Sequence, residues 1–128
     1  MAHKNAGTLR RIDEAMLRED MEAFFAEFTP DVIAHVSGKN SLAGDYKGLD
    51  QFQSLFQQFM ERAGEYTFEN HAYLADDEHG IVLQRGTYAK GGKRISLDEV
   101  FISHFRDGKV SEMWFVSADQ PALDDFIG

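Results

Sequence analysis

The sequence predicts a single α+β domain in which three helices pack on a strongly curved antiparallel β-sheet, forming a cone with an internal pocket. Three observations carry that prediction. In the first half of the chain apolar residues recur at helical spacing, and from Glu65 onward the period falls to about two. The strand-like arms that follow are separated by Gly91-Gly92 and Asp107-Gly108, dipeptides that favour tight hairpins. Two of those arms, Gly80–Lys90 and Lys93–Arg106, are long enough for the natural twist of a sheet to accumulate into curvature.

Each element follows from local chemistry. Thr8 is read as the cap of a helix in which Leu9, Ile12, Met16 and Leu17 recur at helical spacing. Asp20 caps a second helix whose Met21, Phe24, Phe25 and Phe28 form one apolar stripe, and Thr29-Pro30 ends it. Asp31–Val36 is short and β-branched, hence a strand. Ser37–Gly48 is glycine-rich and read as a loop, with a brief extended piece at Asp45-Tyr46. Leu49–Ala63 returns to helical spacing and Gly64 closes it. The remainder, to Val110–Ser117, reads as a four-strand antiparallel meander. The phenylalanines at helical spacing are core residues first, some of which line a pocket wall. Residues 1–128 are read as one domain, with residues 1–7 frayed.

Composition narrows the function without giving it. There is no Cys, which removes thiol catalysis, Cys-ligated zinc and iron–sulfur clusters. With 13 basic and 22 acidic residues the formal charge is −9, a poor match for nucleic acid or an anionic membrane. No apolar run approaches the ~18 residues of a membrane span, and Met1–Arg11 lacks the apolar centre of a signal peptide, so a cytoplasmic location is expected. The five His show neither His-x-His nor His-x-x-x-His spacing, so no metal is expected, and no cofactor is called for. Phosphate-cradling and nucleophile-elbow glycine motifs are missing from the sequence.

Three patches carry a family resemblance. They are Val32-Ile33-Ala34-His35-Val36-Ser37-Gly38 leading into Leu42–Gly48; Phe101-Ile102-Ser103-His104-Phe105-Arg106-Asp107-Gly108-Lys109-Val110; and Glu112-Met113-Trp114-Phe115 with Asp119. Together with the helix spacing they cover the chain from Thr8 to Phe126. They resemble the ketosteroid isomerase and SnoaL-like polyketide cyclase superfamily, also called nuclear transport factor 2-like, whose fold is cystatin-like. The resemblance implies the cone, and it places His35 where ketosteroid isomerases carry a catalytic carboxylate base. It places Ser103 where they carry the aspartic acid of the oxyanion hole. Their first-helix oxyanion Tyr has no counterpart in Leu9–Arg18, so the resemblance does not extend to steroid isomerisation. The scaffold hosts isomerases, cyclases, dehydratases, epoxide hydrolases and non-enzymes, so it fixes fold more firmly than reaction.

The candidate catalytic residues are His35, Ser103 and Glu99. His35 ends an apolar strand; its imidazole is either a general base at the pocket wall or a histidine that only hydrogen-bonds a neighbouring backbone group. Glu99, Phe101, Ser103 and Phe105 share a strand face if no bulge intervenes. A carboxyl among phenylalanines is an acid useful near neutrality, unless the strand end turns it to solvent. Candidate ligand-binding residues are Tyr46, Tyr88, Phe101, Phe115 and Asp119. Asp119 either orients His35 or a ligand hydroxyl, or caps a helix before Pro121. Tyr88 and Arg85 have opposite parity, so at most one faces the pocket; Arg85 is a candidate to pair with Glu99 or Glu112 across a dimer. Matching the last strand to the ketosteroid isomerases leaves Trp114 on the outer face, which in this superfamily commonly forms a homodimer; the pocket is the other place for so large an aromatic. The expected function is binding of a small apolar molecule. If the protein is an enzyme, it is a cofactor-independent isomerase, cyclase or dehydratase; the alternative is a non-catalytic binding or dimeric assembly module.

Overall fold

The computed structural model describes residues 3–128 of the chain. Helix α1 (Lys4–Leu17) begins where the His3 ring accepts the Asn5 N–H at 3.1 Å. Asn5 is buried and donates to the carbonyls of Asp76 and Asp77 at 3.0 and 3.2 Å. The expected fraying of residues 1–7 therefore does not apply from His3 onward; residues 1 and 2 lie outside the described residues. Thr8, expected as a cap, is instead buried within the helix and donates to the Gly108 carbonyl at 3.3 Å. Tertiary hydrogen bonds to two distant turns extend the helix past the boundary that local spacing suggested.

The short helix α2 (Met21–Ala26) is capped by Asp20, which accepts the Ala23 N–H at 3.1 Å. It stops before Phe28, because the chain already turns there into strand β1 (Phe28–Val36). Pro30 has no N–H to give a neighbouring strand, and the pairing register shifts between Phe28 and Ile33, where no ladder bond is lost. Strand β2 (Gly44–Lys47) is the brief extended piece expected at Asp45-Tyr46, and helix α3 (Gly48–Ala63) follows it with Phe52 and Leu55 buried.

The meander then runs through β3 (Glu65–Ala75), β4 (His79–Lys90), β5 (Lys93–Arg106) and β6 (Lys109–Ser117). Gly91-Gly92 and Asp107-Gly108 take positive φ at both central positions, as mirror-image hairpin turns require. The curved open sheet has six strands in the order β2-β1-β6-β5-β4-β3, and all neighbours are antiparallel except β1 with β6. Helix α4 (Gln120–Ile127) is a fourth helix beyond the three expected. Asp119 caps it by accepting the Ala122 N–H at 3.2 Å, with Pro121 in the first turn.

The helices cover the concave face of the sheet, and their shared core holds Leu9, Phe24, Phe28, Phe52 and Val82. Phe24 lies 5.2 Å from Phe28 and 5.3 Å from Phe56, and Phe28 meets Phe52 edge-on at 4.9 Å. This aromatic cluster fills the side where α2, α3 and β1 meet. Strand alternation sends Tyr88 inward and Arg85 outward, where Arg85 pairs with Asp98 at 3.0 Å within the chain. No helix among the described residues is long and apolar enough to cross a membrane.

Candidate functional site

Between the concave sheet and helices α1, α3 and α4 lies a cavity of about 130 Å³. That is close to the ~150 Å³ of an apolar protein cavity able to hold one benzene ring. Its wall is built mostly from Phe, Leu, Ile and Met side chains, including Phe52, Phe56, Phe59, Phe101, Met113 and Phe115. The helical phenylalanines thus serve core and wall together.

Polar groups interrupt this wall, and the most extensively hydrogen-bonded of them is a carboxyl. Glu99 is 5% exposed and accepts from three neighbours: the Tyr88 hydroxyl on Oε2, and the Gln84 amide at 3.0 Å and the Tyr66 hydroxyl at 3.2 Å on Oε1. Gln84 also donates to the Tyr66 oxygen at 2.7 Å, closing the network. Burial raises the Glu99 pKa, and the hydrogen bonds from Tyr88, Gln84 and Tyr66 oppose the rise. Burial and the adjacent Glu99 charge push the Tyr66 and Tyr88 phenols well upward, so both remain protonated donors. Among the described residues Oε2 receives only Tyr88, which leaves it an acceptor position. Room for the carboxylate comes from Gly86, where any Cβ would collide with Oε1.

A second carboxyl lines the same cavity. Asp13 of α1 accepts from the Asn70 amide at 2.5 Å, and Asn70 also donates to the Tyr73 hydroxyl at 2.6 Å. Burial raises the Asp13 pKa to about 6, against hydrogen bonds from Tyr73 and Asn70 that pull it down. The guanidinium of Arg10 sits 4.7 Å above the Tyr73 ring.

The residues predicted from sequence separate into two groups. Glu99, Tyr88, Phe101 and Phe115 line the cavity together. His35 does not: it pairs with Trp114 across β1 and β6, and alternation turns its ring to the outer face while Val36 faces the cavity. There its ring stacks on Trp114 at 4.9 Å between Asp45 and Glu112, each at 2.6 Å. Burial opposes its charge, yet the hydrogen bonds and charges of the two carboxylates carry its pKa above the ordinary value. Ser103 faces inward as expected but stands outside the cavity wall, fully buried, its Oγ without a hydrogen-bond partner among the described residues. At that level Leu9 and Phe105 fill the concave space that Gly80 leaves. Tyr46 donates to the Leu42 carbonyl at 2.7 Å and Asp119 caps α4, so neither lines the cavity. Among the described residues no group of three or more His, Asp or Glu side chains is arranged to hold a metal ion.

Sequence reasoning missed Asp13, Gln84 and Tyr66. The signals were present: Asp13 interrupts the apolar stripe of Leu9, Ile12 and Met16, and Gln84 shares a strand face with Val82 and Tyr88.

With fold and site in view, comparison with known proteins is direct. A SnoaL-like domain model matches residues 9–113, and the chain belongs to that family. Among solved structures it is similar to Bal32a from a soil-derived mobile gene cassette, at 28% identity and a TM-score of 0.92, covering 99% of this chain and 98% of that one. An NTF2-like protein of unknown function from Burkholderia pseudomallei K96243 has 21% identity and a TM-score of 0.88, with 98% of each chain covered. TerC, co-crystallised with polyporic acid, has 19% identity and a TM-score of 0.87, again over 98% of each chain. No curated protein is significantly similar in sequence.

Two predictions follow from these buried carboxyls. Gly86→Ala is expected to lower stability by about 1–3 kcal/mol in urea unfolding, because the added methyl displaces Glu99 from its donors. Asp13, with its pKa moved from 3.8 to about 6, holds a proton in the folded state that the unfolded chain has lost. Its contribution to stability is therefore full below about pH 4 and is lost as pH rises through about 6. Asp13→Asn removes this dependence and gains roughly 2 kcal/mol over wild type at pH 7.5, a gain that shrinks toward pH 4. Urea midpoints measured across pH check it.

Proposed function

We propose that the protein binds a small, largely apolar cyclic molecule in the cavity and exchanges a proton with it through Glu99, without a cofactor. The observation that carries this reading is a buried carboxylate on a mostly apolar wall, held by three donors with one acceptor position to spare. Burying an ionisable group in such a wall is costly unless it is hydrogen-bonded, and burial makes the carboxylate a stronger base than one in water. The cavity volume favours a ring of about six atoms over a fused polycycle. TerC, which shares the fold, was co-crystallised with polyporic acid, which adds support for a small-molecule role.

Cyclohexanone in D2O is a suitable probe, with exchange of its α-protons followed by NMR. Wild type is expected to accelerate exchange above buffer, and Glu99→Gln to lower the catalysed rate by about 100-fold or more. Equal rates with and without the wild-type protein would sink the reading.

We propose also that two copies pair through the outer sheet face. Ile81, Leu83 and Val116 are each 37% exposed there, beside Trp114, and the Arg85–Asp98 pair borders them. A contiguous apolar patch with a polar rim suits a two-fold interface. Light scattering is expected to give twice the 14.5 kDa chain mass for wild type and the single mass for Val116→Asp. A monomeric wild type would refute the pairing.

A further inference from the structure

A polar row crosses the apolar concave face. Asn70, Gln84, Glu99 and Ser117 are successive register partners on β3, β4, β5 and β6, and Asp13 of α1 is laid over the β3 end of that row. Gln84, Glu99, Ser117 and Asp13 all line the cavity.

The groups along it differ in what they can do with a proton. Ser117 Oγ accepts the Asp119 N–H at 3.2 Å, and among the described residues its own hydrogen is uncommitted, so it can donate to a ligand oxygen. Glu99 is an acceptor. Asp13 lies beside the Asn70 amide, whose Oδ1 is buried without a partner. An amide in that position suits a carboxyl in either protonation state. Its N–H donates to the carboxylate, and turning it presents Oδ1 to the O–H of the neutral acid.

The backbones of Glu99 and Asn70 are two strand spacings apart, about 10 Å, and the side chains of Glu99 and of Asp13, which lies over Asn70, enter the cavity from its two sides. An allylic proton shift needs one carboxyl to take and return a proton. Elimination of water needs two, because the base removes hydrogen from one carbon while an acid protonates the oxygen leaving the next. The sequence Ser117, Glu99, Asp13 across the row matches the sequence carbonyl oxygen, α-hydrogen, β-hydroxyl in a β-hydroxy ketone.

We propose that Asp13 is a second catalytic residue, the general acid that protonates the departing hydroxyl, and that the substrate is a single-ring β-hydroxy ketone dehydrated to the conjugated enone. The assignment rests on Glu99 acting as the base. Glu99 takes the α-proton, the C–H electron pair becomes the Cα=Cβ bond, and the Cβ–O bond breaks. Its oxygen leaves with the bonding pair and the Asp13 proton as water, while Ser117 hydrogen-bonds the carbonyl oxygen. Glu99 ends protonated and Asp13 ionised, and exchange with solvent restores both.

The test compares two probes on the same protein samples. Dehydration of 3-hydroxycyclohexanone is followed by enone absorbance, and α-proton exchange of cyclohexanone by NMR. Wild type is expected to catalyse both. Asp13→Asn is expected to lower dehydration by about 100-fold or more, with a loss of exchange at most a tenth as large; Glu99→Gln loses both. Unfolding curves verify that each variant is folded. The assignment to Asp13 falls if Asp13→Asn dehydrates as wild type does, or if it loses exchange to the same degree as dehydration. It falls also if wild type exchanges cyclohexanone but leaves 3-hydroxycyclohexanone intact. A wild type that exchanges neither probe instead overturns the role of Glu99, and Asp13's with it.

Discussion

A carboxylate inside an apolar wall constrains everything around it. Glu99 has exchanged water for the Tyr88, Tyr66 and Gln84 donors, and each of those must itself be placed by the sheet. Gln84 is its register partner on β4; Tyr66 and Tyr88 face one another across β3 and β4. Gly86, between Gln84 and Tyr88 on the same face, supplies the volume that the carboxylate occupies. A slip of one residue in either hairpin would turn Glu99 or its donors to the outer face. The long meander and the tight turns at Gly91-Gly92 and Asp107-Gly108 are thus part of the site's chemistry as well as of the fold.

Much of the architecture was legible because period and turn chemistry are local. The shift from helical spacing to alternation at Glu65, the two hairpin dipeptides and the shared parity of Glu99, Phe101 and Ser103 were all available from neighbouring residues, whereas the choice between Tyr88 and Arg85 for the inner face was not. What was not legible depended on distant partners. The extension of α1 to Lys4 is held by turns some seventy residues away, at Asp76 and Asp77. The fourth helix was visible only as its cap, Asp119. The start of β1 at Phe28 overrode the apolar stripe that seemed to carry α2 onward, since Phe28 packs against Phe52 from the strand as well as it would from a helix.

The candidate site divides along the same line. Sequence position, taken with a family resemblance, pointed to His35, and a one-residue alternation decided otherwise: Ala34 and Val36 face inward and His35 faces out. Asp13 was passed over because a charged residue on an amphipathic helix ordinarily marks the solvent face. Only the position of Asn70, brought over it by β3, shows that it belongs to the cavity. A polar residue inside an apolar stripe is therefore the more informative signal in this chain, since burying it requires a partner that the rest of the fold must provide.

The parallel pairing of β1 with β6 joins the first strand of the chain to the last. Until Lys109–Ser117 exists as a strand, β1 has only the four-residue β2 beside it, and its inner edge stays open. The residues of the aromatic cluster of α2, α3 and β1 all precede Gly64, so that cluster and the strand that covers its edge are separated by the whole β3–β5 meander. Pairing so distant in sequence raises the contact order of the fold and slows its formation relative to a sheet of hairpins alone.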